Sequence, residues 1–187
     1  FMFPLLMVSS QLVSTLSIFG KDHLQMSGTQ IGFIYTLNGL LVILLQMPVL
    51  RLFSPTKLNT RIALGAICYA AGFYSMAFCT ASWHLFLGVG IFTIGEMLAF
   101  PSLGAAASRL GPAGMTGRYM GIFGLVRGLG YSIGPFLGSI LYEHTGRQPL
   151  RFWGAISIFA VLAAARFCHL HLPATVHPLR RETSQPG

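Results

Sequence analysis

Apolar residues fill this chain in long runs, and polar residues fall between them as punctuation. Charge clusters and turn residues mark the ends of six such runs. They cover residues 1–19, 30–52, 61–79, 83–108, 117–142 and 152–172. Gly20-Lys21-Asp22-His23 closes the first, and only Thr80-Ala81-Ser82 separates the third from the fourth. Each run approaches the roughly 20 residues an α-helix needs to cross a bilayer. The pattern predicts an all-α membrane protein, a six-transmembrane-helix bundle over residues 1–172. The short loops leave no room for a soluble domain. Residues 173–187 are polar, contain proline and lack periodicity, so they read as a disordered cytoplasmic tail.

Composition excludes the soluble alternatives. Of 187 residues 53% are hydrophobic and 9% charged, with a mean hydropathy of +0.68. An ordinary soluble domain is charged at about a quarter of its positions. No Lys, Arg, Asp or Glu occurs in residues 1–20, 23–50 or 62–95. The net charge of +8 is scattered singly between the apolar runs, whereas a nucleic-acid binder gathers its basic residues on one face. No nucleic-acid partner is therefore expected. Cys68, Cys79 and Cys168 lie in apolar runs and read as buried free thiols, not a disulfide framework. The chain opens Phe1-Met2-Phe3-Pro4, already inside an apolar stretch, and so reads as a fragment of a longer protein.

Loop charge sets the expected orientation. One side carries Arg51, Lys57, Arg61, Arg109, Arg118, Arg180 and Arg181; the other carries Lys21, Arg147 and Arg151. Basic loops face the cytoplasm, which puts the tail there in a plasma (inner) membrane. Trp83 and Trp153 then both begin helices at the outer interface.

The fifth run is the most informative. Gly130, Gly134 and Gly138 form one stripe on a helix, and Gly121, Gly124 and Gly128 form another on a different face. Small residues four apart let backbones approach closely in lipid, and Pro135 bends the helix beside the first stripe. This reads as a packing and bending element built on Gly121, Gly130, Gly134, Pro135 and Gly138.

Two ionisable residues sit deep in helices: Glu96 in the fourth run and Arg127 in the fifth. Intramembrane charges mark pathways or coupling groups by default, and a structural ion pair is the competing reading. Adjacent antiparallel helices would let the two meet, and Arg127 falls on the side of the Gly130 stripe, which suits burial. Gln11, Ser14 and Thr15 share one face of the first helix, and Tyr35 and Asn38 lie one turn apart on the second. Gln11, Ser14, Tyr35 and Asn38 are candidate cavity-lining groups, with interhelical glue as the alternative. His169 and His171 have no Cys or carboxylate beside them, so no metal site and no cofactor is expected.

Enzyme readings fail on motifs. An intramembrane serine protease needs a Gly-x-Ser-Gly turn and a deep histidine, and neither occurs. An aspartyl version fails because the only Asp, Asp22, is in a loop. A non-transporting six-helix membrane protein, or an inactive truncated half-transporter, remains the alternative to a transporter.

With these residues in view, the sequence resembles the C-terminal half of a major facilitator superfamily transporter of the drug:proton antiporter type. Gly32-FIYTLNGLLVILLQMP is similar to the eighth helix of that family, and Gly95-Glu96-MLAFP to the tenth. The loop Arg109-LGPAGMTG-Arg118 is similar to the one that follows. The antiporter signature G-x8-G-x3-GP-x2-GG matches at Gly121, Gly130, Gly134, Pro135 and Gly138 and departs at Ser139. It normally belongs to the N-terminal half, so its place here reads as that of a pseudo-symmetric counterpart. The loop Leu50–Lys57 has the family's basic residues without its Asp, as is usual in the C-terminal half. The resemblance implies one half of a twelve-helix fold, partnered by a missing N-terminal six-helix half. It also implies proton-coupled multidrug efflux of a small-molecule substrate by alternating access. On that pattern the first and fourth helices line the cavity and the second and fifth gate it.

Overall fold

The computed structural model describes residues 2–112, 114–145 and 147–169. The expected tail lies outside the described residues. Seven helices follow in order: α1 Met2–Ser10, α2 Thr15–Leu24, α3 Gly28–Leu52, α4 Leu58–Met76, α5 Ser82–Leu110, α6 Thr116–His144 and α7 Pro149–His169. Helices α1 and α2 are two pieces of one crossing, Met2–Leu24, so the seven helices make a six-helix bundle. Five crossings are long and apolar enough to span a membrane. The other, α4, has 19 residues and opens Leu58-Asn59-Thr60-Arg61, which dilutes its hydropathy.

Local chemistry sets the helix ends. Ser27 and Gln30 form a reciprocal cap on α3: the Ser27 amide donates to Gln30 Oε1 at 2.9 Å, and Ser27 Oγ accepts from the Gln30 amide at 3.3 Å. Helix α2 ends where Gln25 turns left-handed (φ 51°) and the Met26 amide returns to the Gly20 carbonyl at 3.1 Å.

The core forms where α4, α5 and α7 meet. Glycines allow an unusually close seam between antiparallel α4 and α5. A Cβ added to Gly65 would lie 2.7 Å from the Gly95 carbonyl oxygen, and one on Gly72 would lie 2.8 Å from that of Gly88. Beside the seam, Trp153 stacks on Phe73 at 5.2 Å and meets Phe19 edge-on at 5.4 Å. Trp153 is thus fully buried and its indole N–H has no partner, contrary to the interfacial position expected for it. Helix α7 turns that face onto α4, and the apolar stack outweighs the indole's preference for a wet interface. Trp83, at the start of α5, is exposed. The thiols also differ from expectation: all three are free, but Cys68 and Cys79 are half-buried and Cys168 is exposed.

Two helices are largely uncovered. Helix α3 buries only Ile31 and Ile34, and α6 buries only Phe123, Tyr142 and the glycines of one stripe, Gly130, Gly134 and Gly138.

Candidate translocation cavity

The first crossing breaks at residues 11–14 because its side chains compete for its own backbone. Ser9 Oγ donates to the Leu6 carbonyl at 2.9 Å and Ser10 Oγ to that of Met7 at 2.7 Å. Such back-bonding bends helices. The Leu16 amide then reaches back five residues to the Gln11 carbonyl at 3.2 Å, a local widening of the ladder.

Gln11 is spent inside this break. Its amide donates to the Met7 carbonyl at 3.1 Å and to the Gly134 carbonyl of α6 at 2.7 Å, and its oxygen accepts from Thr15 Oγ1 at 2.7 Å. Both amide hydrogens are therefore engaged, and the side chain is buried. Ser14 is half-buried at the start of α2, 3.4 Å from the Thr15 hydroxyl.

The glycine stripe explains how α6 comes so near. A Cβ on Gly130 would lie 2.9 Å from Leu6 Cβ; one on Gly134 would strike the Ser10 hydroxyl, and one on Gly138 the Gln11 side-chain oxygen. The second stripe behaves differently: a Cβ on Gly121, Gly124 or Gly128 meets nothing within 4 Å. Pro135 lies inside α6 between the glycines of the packed stripe.

Helix α3 joins this framework by two side chains one turn apart. The Tyr35 hydroxyl sits in the break, 3.1 Å from the Leu12 carbonyl, 2.9 Å from that of Val13 and 2.6 Å from Ser17 Oγ. It serves carbonyls that the interrupted helix leaves without an amide. The Asn38 amide donates to Thr93 Oγ1 and to Glu96 Oε2, each at 2.9 Å.

Glu96 stands fourteen residues from each end of α5 and is half-buried. Arg127 lies eleven residues into α6 and is exposed on the bundle, its guanidinium carbon 5.3 Å from the centre of the Phe100 ring. That distance is within cation–π range. The anticipated Glu96–Arg127 pair does not form, and Arg127 is not buried between helices. An ion pair instead joins Arg147, in the turn after α6, to Asp22 at 3.5 Å, and Asp22 lies in the last turn of α2, not in the loop expected for it. Asn38 draws Glu96 toward α3, while the long Arg127 side chain reaches the ring of Phe100 on α5. Tyr131 lies within electrostatic reach of both charges, and its hydroxyl is 3.3 Å from Ser9 Oγ, whose own proton is committed to the Leu6 carbonyl.

One wall thus gathers Ser9, Asn38, Thr93, Glu96, Arg127 and Tyr131 from α1, α3, α5 and α6. Thr93 and Tyr131 were not singled out by sequence, yet spacing was the signal. Thr93 is three residues before Glu96 and Tyr131 four after Arg127, so each shares its neighbour's face. A separate apolar cleft of about 570 Å³ opens between α1, α6 and α7. It is lined by Phe3, Met7, Leu141, His144 and Phe159 and includes neither deep charge.

Comparison with known proteins agrees with this architecture. The profile of the Major Facilitator Superfamily matches residues 1–186. An uncharacterized MFS-type transporter of Bacillus subtilis, YttB, is 32% identical over 63% of this chain and 30% of its own length. A second from the same organism, YhjO, is 22% identical over 96% of this chain and 43% of its own. The multidrug resistance protein MdtH of Aeromonas salmonicida is 27% identical over 78% of this chain and 38% of its own. The chain spans less than half the length of these curated relatives. No solved structure matches. A multi-pass bundle with apolar crossings and a superfamily match over nearly its whole length identifies the chain as a member of the Major Facilitator Superfamily.

Proposed function

We propose that this bundle is the C-terminal half of a proton-coupled exporter of small molecules, working by alternating access in the plasma membrane. The observation that carries the reading is Glu96. It is a carboxylate in the middle of a membrane-spanning helix, held by an amide and facing no basic partner among the described residues. An ionised group there is costly unless it is paired or takes up a proton. In this reading Glu96 takes up a proton or contacts a cationic substrate, and Arg127 offers an exposed positive charge on the same wall.

The uncovered faces support a second half. Residues 39–52 of α3 contain no buried position, and the Gly121 stripe of α6 has open space where a helix would pack. A six-helix N-terminal partner lying on α3 and α6 would cover both and close a cavity over Glu96 and Arg127. The multidrug resistance name of MdtH supports efflux of drug-like compounds, and the basic loops support a cytoplasmic C-terminus.

The test is Glu96→Gln in the complete protein, reconstituted in liposomes with an imposed pH gradient. We expect gradient-driven transport to fall by about tenfold or more, equivalent to at least about 1.4 kcal/mol, while folding is retained. Transport with unchanged rate and pH dependence would remove Glu96 from the mechanism.

A further inference from the structure

We propose that Thr93 and Asn38 form an orientation-locked donor that makes the position of α3 follow the charge on Glu96. The proposal rests on the reading of Glu96 as a group that changes charge during transport, and it adds what senses that change.

The lock follows from donor and acceptor accounting. Thr93 Oγ1 lies 2.7 Å from the Val89 carbonyl oxygen. A carbonyl can only accept, so the hydroxyl proton is committed there. Toward Asn38, 2.9 Å away, Thr93 therefore has only a lone pair to offer. The amide must turn its NH₂ group that way, because its oxygen would meet another oxygen. Its second amino hydrogen then points at Glu96 Oε2, also at 2.9 Å. The chain Val89–Thr93–Asn38–Glu96 has one polarity, and Asn38 cannot flip without losing its bond to Thr93.

A donor that cannot turn distinguishes the two forms of Glu96. With the carboxylate ionised, the bond is charge-assisted and roughly twice as strong as a neutral one. A proton on Oε2 sets donor against donor, and a proton on Oε1 leaves a neutral bond. A cationic group drawn to Glu96 competes for the same oxygens.

The consequence falls on α3 because little else holds it there. Its buried residues, Ile31 and Ile34, and its other polar tie, Tyr35, all precede Asn38. From Gly39 to Leu52 no residue is more than half-buried, and among the described residues Asn38 is the last in α3 to make a side-chain hydrogen bond to another helix. Weakening that bond releases the second half of the helix, about fourteen residues or 21 Å long.

Other groups face Glu96. Tyr69 approaches from α4, with Cys68 beside the neighbouring Gly95, and Tyr131 from α6; Arg127 acts on Tyr131 without pairing with Glu96. Phenols and thiols ordinarily titrate near 10 and 8.5, and a guanidinium stays charged. Glu96 is thus the member of this group whose ordinary range is acidic.

The experiment uses the complete protein in lipid nanodiscs, without substrate and in a cysteine-free background. Spin labels replace Ile43, on the free half of α3, and Ile67, on α4. The Ile43–Ile67 distance is measured between about pH 5 and pH 8. We expect a shift on the order of 2 Å in the parent, and its loss in Glu96→Gln, Asn38→Leu and Thr93→Val. Thr93→Val keeps the shape of the side chain and removes only the lock, so it decides the matter if Asn38→Leu folds poorly. A distance that ignores pH in the parent would overturn the proposal. So would a pH response that survives in Thr93→Val. Transport that needs Glu96 while α3 stays still would sink the lock alone. A moving α3 with transport indifferent to Glu96 would sink only the coupling role.

Discussion

Gly134→Ala adds one methyl group where α6 meets the backbone of the first crossing closely. The new Cβ would strike the Ser10 hydroxyl and lie 2.9 Å from the Met7 carbonyl oxygen and 3.3 Å from Met7 Cα. Carbon contacts are most favourable at about 3.5–4.0 Å, so the helices must part by roughly 0.5–1 Å. Ser10 cannot simply rotate away without giving up its 2.7 Å bond to Met7. Separation also stretches the 2.7 Å bond from Gln11 to the Gly134 carbonyl, leaving a buried amide hydrogen unmet. Overpacking costs about 1–3 kcal/mol, and weakening one buried hydrogen bond adds about 1 kcal/mol. The sum, about 2–4 kcal/mol, should appear as a clear drop in the unfolding midpoint of the purified protein in mild detergent. Gly134→Leu should prevent the helix approach altogether and abolish transport. Gly128→Ala is the internal control, since a Cβ there meets nothing within the bundle. If Gly134→Ala unfolds with the parent's midpoint, or if Gly128→Ala loses as much, close approach of α6 to α1 is not what the stripe provides.

Two further outcomes are expected. Tyr35→Phe removes the hydroxyl that serves the Leu12 and Val13 carbonyls, and should lower stability by about 0.5–2 kcal/mol; an unchanged unfolding midpoint would show that the break is satisfied without it. A cysteine placed at Ser184 should react with an impermeant thiol reagent only from the cytoplasmic face of inverted vesicles, and labelling on intact cells would reverse the proposed orientation.

Much of the bundle was legible because bilayer thickness imposes a length that survives in the run pattern. The depth of Glu96 and Arg127 and the face of the Gly130 stripe followed from the same counting. Three features did not. The break at residues 11–14 arises from several side chains acting together, Ser9, Ser10, Gln11 and Thr15, each of which alone is compatible with a continuous helix. The α4–α5 seam joins Gly65 and Gly72 to Gly88 and Gly95, glycines seven apart on each helix, so a search for glycines four apart passes over them. Arg127 shares an angular sector with Gly130 and Gly134, yet its flexible side chain reaches the ring of Phe100. A helical wheel gives the direction of Cβ, and for a long cationic side chain that is not where the charge ends.

The same contacts divide the bundle into a firm part and a yielding part. Helices α4, α5 and α7 meet through glycine seams and a stack of buried rings, with Ser157 adding a 3.0 Å bond to the Ala70 carbonyl. That attraction is the sum of many small contacts and falls away steeply with separation, so these helices resist being parted. The remaining pieces are joined differently. Tyr35 ties α3 to the broken crossing, Asn38 ties α3 to α5, and Gln11 and Ser9 tie α1 to α6. Hydrogen bonds between membrane helices contribute about 0.6 kcal/mol on average, because the separated groups find other partners. A contact of that size can be exchanged for another during a cycle, whereas an apolar seam cannot. The helix held mainly by exchangeable ties, α3, is also one of the two that leave broad faces uncovered, whereas α6 adds a glycine seam to its ties. On the proposed reading, the face of α3 that moves against a partner is fastened to the bundle by bonds that can be remade, and the Asn38 bond is the one whose strength a single proton on Glu96 would change.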